Sequence, residues 1–389
     1  MPPVNYRREL SDVAESPMVQ IATIAEAMPG SLKLCYGESD LRTPEFICQA
    51  AYDAALAGHT FYTHTAGSTE LREAIASKIF ELHRVRYAPS EIIATVGASM
   101  AIYAAIRAFV GPGDNAVVIS PAYAIFTNAV LMSGGEPRPV PLARRGNTFQ
   151  LDLDRLRAAI DGHTRMLIVN SPSNPTGWMI TENEQRALVE IADRHDLVLL
   201  ADEVYERLVY DREGVAPSFA RVETNRDRLI VVNSFSKTYN MTGWRLGWAQ
   251  TSAATIKTMY KAVEFMTSNP TAIVQQAGIV ALRDGERYIA ELRDDYAHRR
   301  ALVMTALGAI PGVTLPTPQG AFYAFPKIDA ASDSTAFTAA LVRETGVALA
   351  PGVGFGSDGE GYIRVCFAST EATLTAALSR LRNFVMNGG

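Results

Sequence analysis

Residues 229–248, with the sequence LIVVNSFSKTYNMTGWRLGW, combine a predicted buried strand with a lysine that closely follows it. The stretch begins with an apolar run, residues 229–233, that does not alternate with polar residues. A run of this kind predicts a strand that is buried on both faces, as in a parallel sheet. Lys237 follows shortly after it, so an amine is expected at the carboxyl end of this strand.

Three more apolar runs of the same kind occur earlier in the chain, at residues 116–120, 165–170 and 197–202. Helical patterns separate several of them, and Thr181 with Glu184 forms a capping box for one of these helices. Alternating buried strands and helices predict an α/β domain with a mostly parallel central sheet flanked by helices and connected by right-handed crossovers.

The pattern changes after residues 268–270. A long charged helical stretch is predicted over residues 271–307 and a helix over 335–344, with strands over 320–325 and 362–367. These elements predict a smaller α+β domain. We therefore expect a large domain over residues 45–277 and a discontinuous small domain that combines residues 1–44 with 278–389.

Composition excludes several classes of protein. The 389 residues carry a net charge of −5, and no run approaches the roughly 20 apolar residues that a membrane span needs. Neither a nucleic-acid nor a membrane partner is expected. The three cysteines are scattered, without a CxxC pair, and the first ten residues are polar. We expect a cytoplasmic protein with no metal site and no disulfide framework.

Polar side chains follow three of the predicted strands. They are Asn174 after the run 165–170, Asp202 at the end of the run 197–202, Tyr205 shortly after it, and Lys237 after the run 229–233. Taken alone, each has an ordinary structural explanation as a turn, a helix cap or a surface group. Because ligands bind at the carboxyl ends of parallel strands, their combination at one edge indicates a functional site.

The chain resembles the fold-type-I aminotransferases of class I/II, which depend on pyridoxal 5′-phosphate. The resemblance covers nearly the whole sequence, and its most specific block is residues 234–248 (SFSKTYNMTGWRLGW). The other matching segments are residues 62–74 (YTHTAGSTELREA), 97–99, 121–123, 174–177, 202–205 and 362–364.

The resemblance implies roles around the cofactor ring. Lys237 is expected to form a Schiff base with the cofactor, and Asp202 to pair with the pyridine nitrogen. Asn174 and Tyr205 are expected to bind the phenolic oxygen of the ring, with Asn174 also near the substrate. Tyr123 is expected to stack on the ring face.

The resemblance also implies two anion sites. The cofactor phosphate is assigned to the helix start at Ala98 and Ser99, together with Ser234, Ser236 and Arg245. Tyr62 is expected to reach the phosphate from a neighbouring subunit, which implies a homodimer with shared active sites. The substrate carboxylate is assigned to Arg364, with the backbone of Gly37 beside it.

The predicted reaction is transfer of the amino group of an L-amino acid to a 2-oxo acid such as 2-oxoglutarate, through the Lys237 Schiff base and a quinonoid intermediate. Ser99 stands where some acid-specific bacterial relatives carry a lysine, so neutral or aromatic donors are favoured over aspartate. A side-chain pocket is predicted from residues that are equally compatible with the core: Ile21, Ile24, Tyr36, Phe322 and Tyr323.

Other functions stay open at this stage. The same lysine, aspartate and arginine serve pyridoxal-phosphate-dependent carbon–sulfur β-lyases, and a strict aspartate aminotransferase is a further alternative. A non-enzymatic regulator that senses the cofactor would need a DNA-binding module, for which the chain offers no basic stripe.

Overall fold

The computed structural model of the chain describes residues 6–210, 214–223 and 225–388. The helices of this part are α1 (Arg8–Ser11), α2 (Pro17–Glu26), α3 (Glu45–Leu56), α4 (Thr69–His83), α5 (Ala98–Phe109), α6 (Ile125–Met132), α7 (Leu153–Ala158), α8 (Glu182–Arg194), α9 (Phe235–Thr238), α10 (Ala253–Thr267), α11 (Ala272–Asp284), α12 (Glu286–Gly308), α13 (Ser334–Thr345) and α14 (Glu371–Met386).

The strands within the same ranges are β1 (Leu32–Lys33), β2 (Ile92–Thr95), β3 (Asn115–Ser120), β4 (Glu136–Pro141), β5 (Ala143–Arg145), β6 (Thr148–Gln150), β7 (Thr164–Asn170), β8 (Val198–Asp202), β9 (Leu229–Ser234), β10 (Gly247–Gln250), β11 (Val313–Thr314), β12 (Tyr323–Ala324), β13 (Lys327–Ile328), β14 (Val347–Ala348), β15 (Ala350–Pro351) and β16 (Ile363–Cys366). Short 3-10 helices include Pro89–Glu91 and Thr242–Trp244.

A seven-stranded sheet organises the larger part of the molecule, in the order β2-β10-β9-β8-β7-β3-β4. β10 runs antiparallel to both of its neighbours, and the other pairs are parallel. This architecture confirms the predicted α/β class with a mostly parallel sheet. β4 and β10 were not predicted, because β10 is only four residues long and β4 has the proline-rich sequence EPRPVP. Prolines are tolerated there because β4 lies at the sheet edge.

The apolar strands are buried on both faces because helices cover both sides of the sheet. Leu167 and Val169 pack into one core with side chains of α4, α8 and α11, whereas Met166 and Ile168 pack into another with α5, α6 and α10. Consecutive residues of β7 therefore enter opposite layers, which explains why the run shows no polar alternation. The predicted capping box also forms, since Thr181 Oγ1 accepts from the Glu184 backbone N–H.

The C-terminal elements surround a separate apolar core beside a three-stranded sheet, β12-β16-β15. The N-terminal segment contributes to this region, because β1 pairs in parallel with β14, and α2 packs on α13 and β15. The predicted strand over 320–325 is shorter, at Tyr323–Ala324, because Ala321 has a left-handed φ of 57° that places a turn there. The domain boundaries at 45 and 277 stay predictions.

Two features are absent from the residues that the structure describes. No helix in that part of the chain is both long and apolar enough to cross a membrane. Among the same residues, no cluster of three or more histidine, cysteine or acidic side chains is arranged to hold a metal ion.

Candidate active site

A cavity of about 650 Å³ opens at the carboxyl ends of β7, β8 and β9. Most of the site residues expected from the sequence contribute to its wall. They are Gly37, Ala98, Ser99, Tyr123, Asn174, Asp202, Tyr205, Ser234, Ser236, Lys237, Arg245 and Arg364. The fold thus brings together side chains from segments that are far apart in the sequence.

Strand register explains why Asn174 and Asp202 meet. Asn170, the last residue of β7, lies opposite Asp202, the last residue of β8. The Asn170 side chain donates to the Asp202 carbonyl oxygen at 3.1 Å and accepts from the Asn174 backbone N–H at 2.8 Å. Asn170 therefore fixes the turn that carries Asn174. Sequence reasoning missed this role, although its place at the end of a buried strand was a usable signal.

Burial shifts the protonation of the acid and the amine in the cavity. Asp202 is buried, and burial raises the pKa of its carboxyl group to about 7, although the group accepts a hydrogen bond from the Val204 backbone N–H at 3.1 Å. Desolvation lowers the pKa of the Lys237 amine to about 8. Lys237 Nζ donates to the Gly37 carbonyl oxygen at 2.6 Å. Near neutral pH the amine therefore has an appreciable unprotonated fraction.

One end of the cavity presents donors suited to an anion. Helix α5 begins at Ala98 after Gly97, whose φ is +75°, so its free backbone N–H groups lie at the cavity wall. A Cβ atom at residue 97 would collide with the Arg245 guanidinium group, so the glycine lets this arginine approach the helix start. Ser234 Oγ accepts a hydrogen bond from the Ser236 backbone N–H at 3.1 Å, and this bond caps the start of α9.

Arg364, on β16, is buried at 2 % exposure, yet forms no ion pair with any described residue. Its Nη1 donates to Asn174 Oδ1 at 2.9 Å and its Nη2 to the Cys35 carbonyl oxygen, while its Nε has no partner. A buried guanidinium group without a carboxylate is costly, because its charge has lost water and gained no counter-ion. The arrangement is therefore suited to receive an anion from outside the protein.

Tyr123 lies at the cavity, partly exposed, but Tyr62 does not line it. Tyr62 is 89 % exposed in a shallow hollow that also includes Phe61 and Ile273. The single chain therefore does not bring Tyr62 to Lys237, and its expected role in a neighbouring subunit stays a prediction.

The predicted side-chain pocket is only partly correct. Tyr36 and Tyr323 line the cavity. Ile21 and Phe322 are buried in the core and Ile24 packs against it, because their positions face other apolar side chains rather than the open space. Sequence reasoning missed an apolar wall made of Val13, Met18, Val19, Ile102, Ile125 and Met132. No local pattern marks these residues, since tertiary packing alone brings α2, α5 and α6 to one cavity.

A family model for aminotransferases of class I and II matches residues 29–381 of the chain. The chain is 36% identical over 373 residues to an aspartate aminotransferase from Pyrococcus abyssi, with 95% of each chain covered. It is 35% identical to aromatic-amino-acid aminotransferase 2 from Thermococcus litoralis, with 96% of each chain covered.

Solved structures show the same architecture. The N-succinyldiaminopimelate aminotransferase from Mycobacterium tuberculosis superposes with a TM-score of 0.92 at 34% sequence identity. That comparison covers 97% of this chain and 100% of the other. The similarity therefore extends over the sheet, the C-terminal region and the cavity between them.

Proposed function

The chain belongs to aminotransferase class I and II, enzymes that use pyridoxal 5′-phosphate, and from that premise we propose a specific reaction for it. In this proposal the protein moves the amino group of a neutral or aromatic L-amino acid to a 2-oxo acid such as 2-oxoglutarate. The observation that carries the proposal is Arg364, a buried cation without a counter-ion in the same cavity as the Lys237 amine.

The residues of the cavity fit pyridoxal phosphate. The helix start at Ala98 and Ser99, with Ser234, Ser236 and Arg245, would hold the phosphate. Asp202 would pair with the pyridine nitrogen, and a cationic ring nitrogen beside it would favour the ionised carboxylate despite its burial. Asn174 and Tyr205 would donate hydrogen bonds to the phenolic oxygen of the cofactor. Tyr123 would stack on the face of the ring, and Lys237 Nζ would bond to the aldehyde carbon.

When bound, the cofactor supplies an electron sink for the electrons released at the substrate Cα. Lys237 would serve first as the amine that holds the cofactor and then as the base that removes the Cα proton. Its lowered pKa, about 8, suits both roles because the unprotonated amine is the reactive form. Asp202 would keep the pyridine nitrogen protonated, because a carboxylate that pairs with the ring nitrogen stabilises the cationic ring.

Arg364 orients the amino acid by binding its carboxylate. Two guanidinium hydrogen bonds go to Asn174 and Cys35, and the unpartnered Nε supplies a further donor. An incoming carboxylate would supply the counter-ion that the buried Arg364 guanidinium group does not find among the described residues. Asn174 accepts a hydrogen bond from the same guanidinium group at 2.9 Å. In this proposal the substrate carboxylate therefore binds next to a residue assigned to the cofactor oxygen.

The wall of the cavity supports the preference for neutral or aromatic donors. Among the described residues, its only cations are Lys237, Arg245 and Arg364, each of which already has a role. Ser99, where some acid-specific relatives have a lysine, supplies no charge to a second carboxylate. The remaining wall is largely apolar. An apolar substrate side chain that leaves water to contact this wall stabilises the complex.

We also propose that the protein acts as a homodimer. Phe61, Tyr62 and Phe265 are each more than 80 % exposed, and large exposed apolar surface marks protein–protein contacts. Covering them with a second copy would remove apolar surface from water and would bring Tyr62 to the partner's phosphate site. A cytoplasmic location stays part of the proposal, and it suits the three free cysteines of the structure.

A panel of amino donors with 2-oxoglutarate or pyruvate as acceptor tests this function. We expect phenylalanine or leucine to have a higher kcat/KM than aspartate. A large preference for aspartate would instead favour a strict aspartate aminotransferase, and two of the relatives are named aspartate aminotransferase. Release of pyruvate and ammonia from cystathionine without an acceptor would favour the β-lyase alternative.

A further inference from the structure

Tyr323 lines the cavity, yet its hydroxyl group has no assigned role in the proposed reaction. The residue is fully buried on β12, next to the strand β16 that carries Arg364. A buried phenol requires a hydrogen-bond partner, because leaving water without one is costly. Tyr323 has such a partner at the cavity wall, since its hydroxyl oxygen lies 2.9 Å from that of Tyr205.

The ring of Tyr323 contacts a second group of the site. The guanidinium carbon of Arg364 lies 4.6 Å from the centroid of the Tyr323 ring and 4.9 Å from that of Phe355. An aromatic face attracts a cation, and the attraction is stronger where water is excluded. Because Arg364 has no ion pair among the described residues, these rings and its two hydrogen bonds define its position.

Gly37 leaves the space that Tyr323 occupies. A Cβ atom at residue 37 would lie 2.5 Å from the Tyr323 hydroxyl oxygen and 3.5 Å from its Cζ. A side chain at this position would therefore displace either the tyrosine or the backbone whose carbonyl group accepts from Lys237. The requirement for glycine comes from this packing as well as from the expected approach of the substrate carboxylate.

We propose that Tyr323 is a positioning residue that sets Tyr205 through its hydroxyl group and Arg364 through its ring. The inference rests on the proposed function, in which Tyr205 binds the cofactor phenolic oxygen and Arg364 binds the substrate carboxylate. Because one buried side chain contacts both, it fixes the spacing between the cofactor-binding and the carboxylate-binding groups.

The two contacts have different consequences. If the Tyr205 hydroxyl group donates its hydrogen to the cofactor oxygen, its own oxygen can accept a hydrogen bond from the Tyr323 hydroxyl group. A hydroxyl group that accepts a hydrogen bond is a stronger donor, so Tyr323 strengthens the bond from Tyr205 to the cofactor. Loss of the Tyr323 hydroxyl therefore weakens the stabilisation of a negative charge on the phenolic oxygen. Loss of the ring instead removes the aromatic face beside Arg364 and leaves its guanidinium group less well placed.

Two variants separate these effects. Tyr323→Phe keeps the ring and removes the hydroxyl, whereas Tyr323→Leu removes both. Tyr296→Phe is a matched control, because Tyr296 is a buried tyrosine outside the cavity whose hydroxyl donates to Ser39 Oγ at 2.7 Å. Each variant is loaded with pyridoxal phosphate, its folding is checked by thermal unfolding, and the pH dependence of the visible absorption band is recorded. Binding of the unreactive carboxylate 3-phenylpropionate is measured by calorimetry.

We expect Tyr323→Phe to raise the apparent pKa of the visible band by about half a unit and to leave 3-phenylpropionate binding within about twofold of the wild type. Tyr323→Leu should shift the band similarly and weaken 3-phenylpropionate binding by about tenfold. Gly37→Ala should reproduce the shift of the band, since it displaces the same hydroxyl. Tyr296→Phe should change neither quantity.

Folded Tyr323 variants with wild-type absorption and wild-type binding would overturn the inference, as would equal shifts in the Tyr296→Phe control. A wild-type protein that takes up no pyridoxal phosphate would instead refute the proposed function, which keeps the two failures distinct.

Discussion

Lys237 Nζ donates a hydrogen bond to the carbonyl oxygen of Gly37, with 2.6 Å between the two atoms. The bond joins α9, at the end of the central sheet, to the segment that follows β1 in the N-terminal region. The amine is thus held in the cavity by backbone from a distant part of the sequence. It has no ion pair with any described residue, so desolvation governs its protonation.

The first prediction concerns the protonation of this amine. Only the unprotonated amine attacks an aldehyde, and the pKa of Lys237 is lowered to about 8. The rate at which ligand-free protein takes up pyridoxal phosphate should therefore rise with pH up to about 8 and level off above it. Stopped-flow absorbance measures this rate. Lys237→Ala should not develop the visible band at all, and an unchanged band in that variant would show that another group holds the cofactor.

The second prediction separates function from stability at Asp202. Asp202→Asn cannot hold the pyridine nitrogen protonated, so kcat should fall by about 100- to 1000-fold. The stability of the ligand-free protein should behave differently. Burial raises the pKa of Asp202 to about 7, well above the roughly 3.9 of an unfolded chain. Between these values the folded state keeps a proton that the unfolded state has lost, so stability decreases as pH rises.

Asparagine cannot ionise, so the Asp202→Asn variant does not lose folding stability in this way as pH rises. At pH 8, ligand-free Asp202→Asn should unfold at a temperature equal to or higher than that of the wild type, as measured by calorimetry. A clear decrease in unfolding temperature would contradict the assignment of Asp202 as a buried, desolvated carboxyl group.

The third prediction concerns substrate choice. Val19 lies on α2 at the cavity wall and is 63 % exposed, so a lysine fits there without burying its charge. Val19→Lys should raise the ratio of kcat/KM for aspartate to kcat/KM for phenylalanine by about fivefold, the effect of one partly solvated ion pair. Gln20→Lys adds the same charge at an exposed residue that does not line the cavity, and it should leave this ratio unchanged.

The fourth prediction tests the shared active site. Lys237→Ala and Tyr62→Ala should each be strongly impaired alone. In a mixed dimer of the two variants, one of the two sites receives an intact Lys237 from one subunit and an intact Tyr62 from the other. Subunit exchange should therefore restore about a quarter of the wild-type activity. No recovery after verified exchange would mean that Tyr62 does not serve the partner's site.

The fifth prediction concerns a buried ion pair. His83 Nε2 lies 2.9 Å from Glu206 Oε2, and both side chains are at least nine-tenths buried. Burial lowers the pKa of His83, but the hydrogen bond and charge of Glu206 outweigh it, so the pKa is raised. Stability from this pair is therefore fully present below about pH 6.5, the unfolded value, and is lost as pH rises through the higher folded value.

Glu206→Gln should lower the free energy of unfolding by about 3 kcal/mol at pH 6, measured by urea unfolding, and by less at pH 9. The exposed pair His298–Glu371 provides the control. Glu371→Gln should change the free energy of unfolding by less than about 0.5 kcal/mol at either pH. Equal effects at the two pH values for Glu206→Gln would rule out a protonated His83 as the source of the stabilisation.

Local sequence carried enough information for the buried strands and the residues that follow them. β3, β7, β8 and β9 were predictable because helices cover both of their faces, so continuous apolar runs are required. The side chains after these strands were predictable because parallel strands end at one edge. Tyr62 was assigned from the family resemblance alone, and the role proposed for it requires a second subunit.

Other features depend on tertiary packing that leaves no local trace. β10 is short and overlaps the motif around Arg245, and β4 is rich in proline, so neither follows a strand pattern. Met18 and Met132 reach the cavity only because separate helices meet there. The contacts of Tyr323 with Tyr205 and Arg364 join three distant segments, which no periodicity in the sequence encodes.

The proposed transamination can be followed through the nitrogen of ¹⁵N-labelled L-phenylalanine, incubated with the loaded enzyme and 2-oxoglutarate. Mass spectrometry of the products reports where the label goes. We expect ¹⁵N-glutamate and phenylpyruvate in equal amounts, and we expect the Arg364→Leu variant to form neither product. Free labelled ammonia without labelled glutamate, or no turnover of phenylalanine by an enzyme that carries the cofactor, would contradict it.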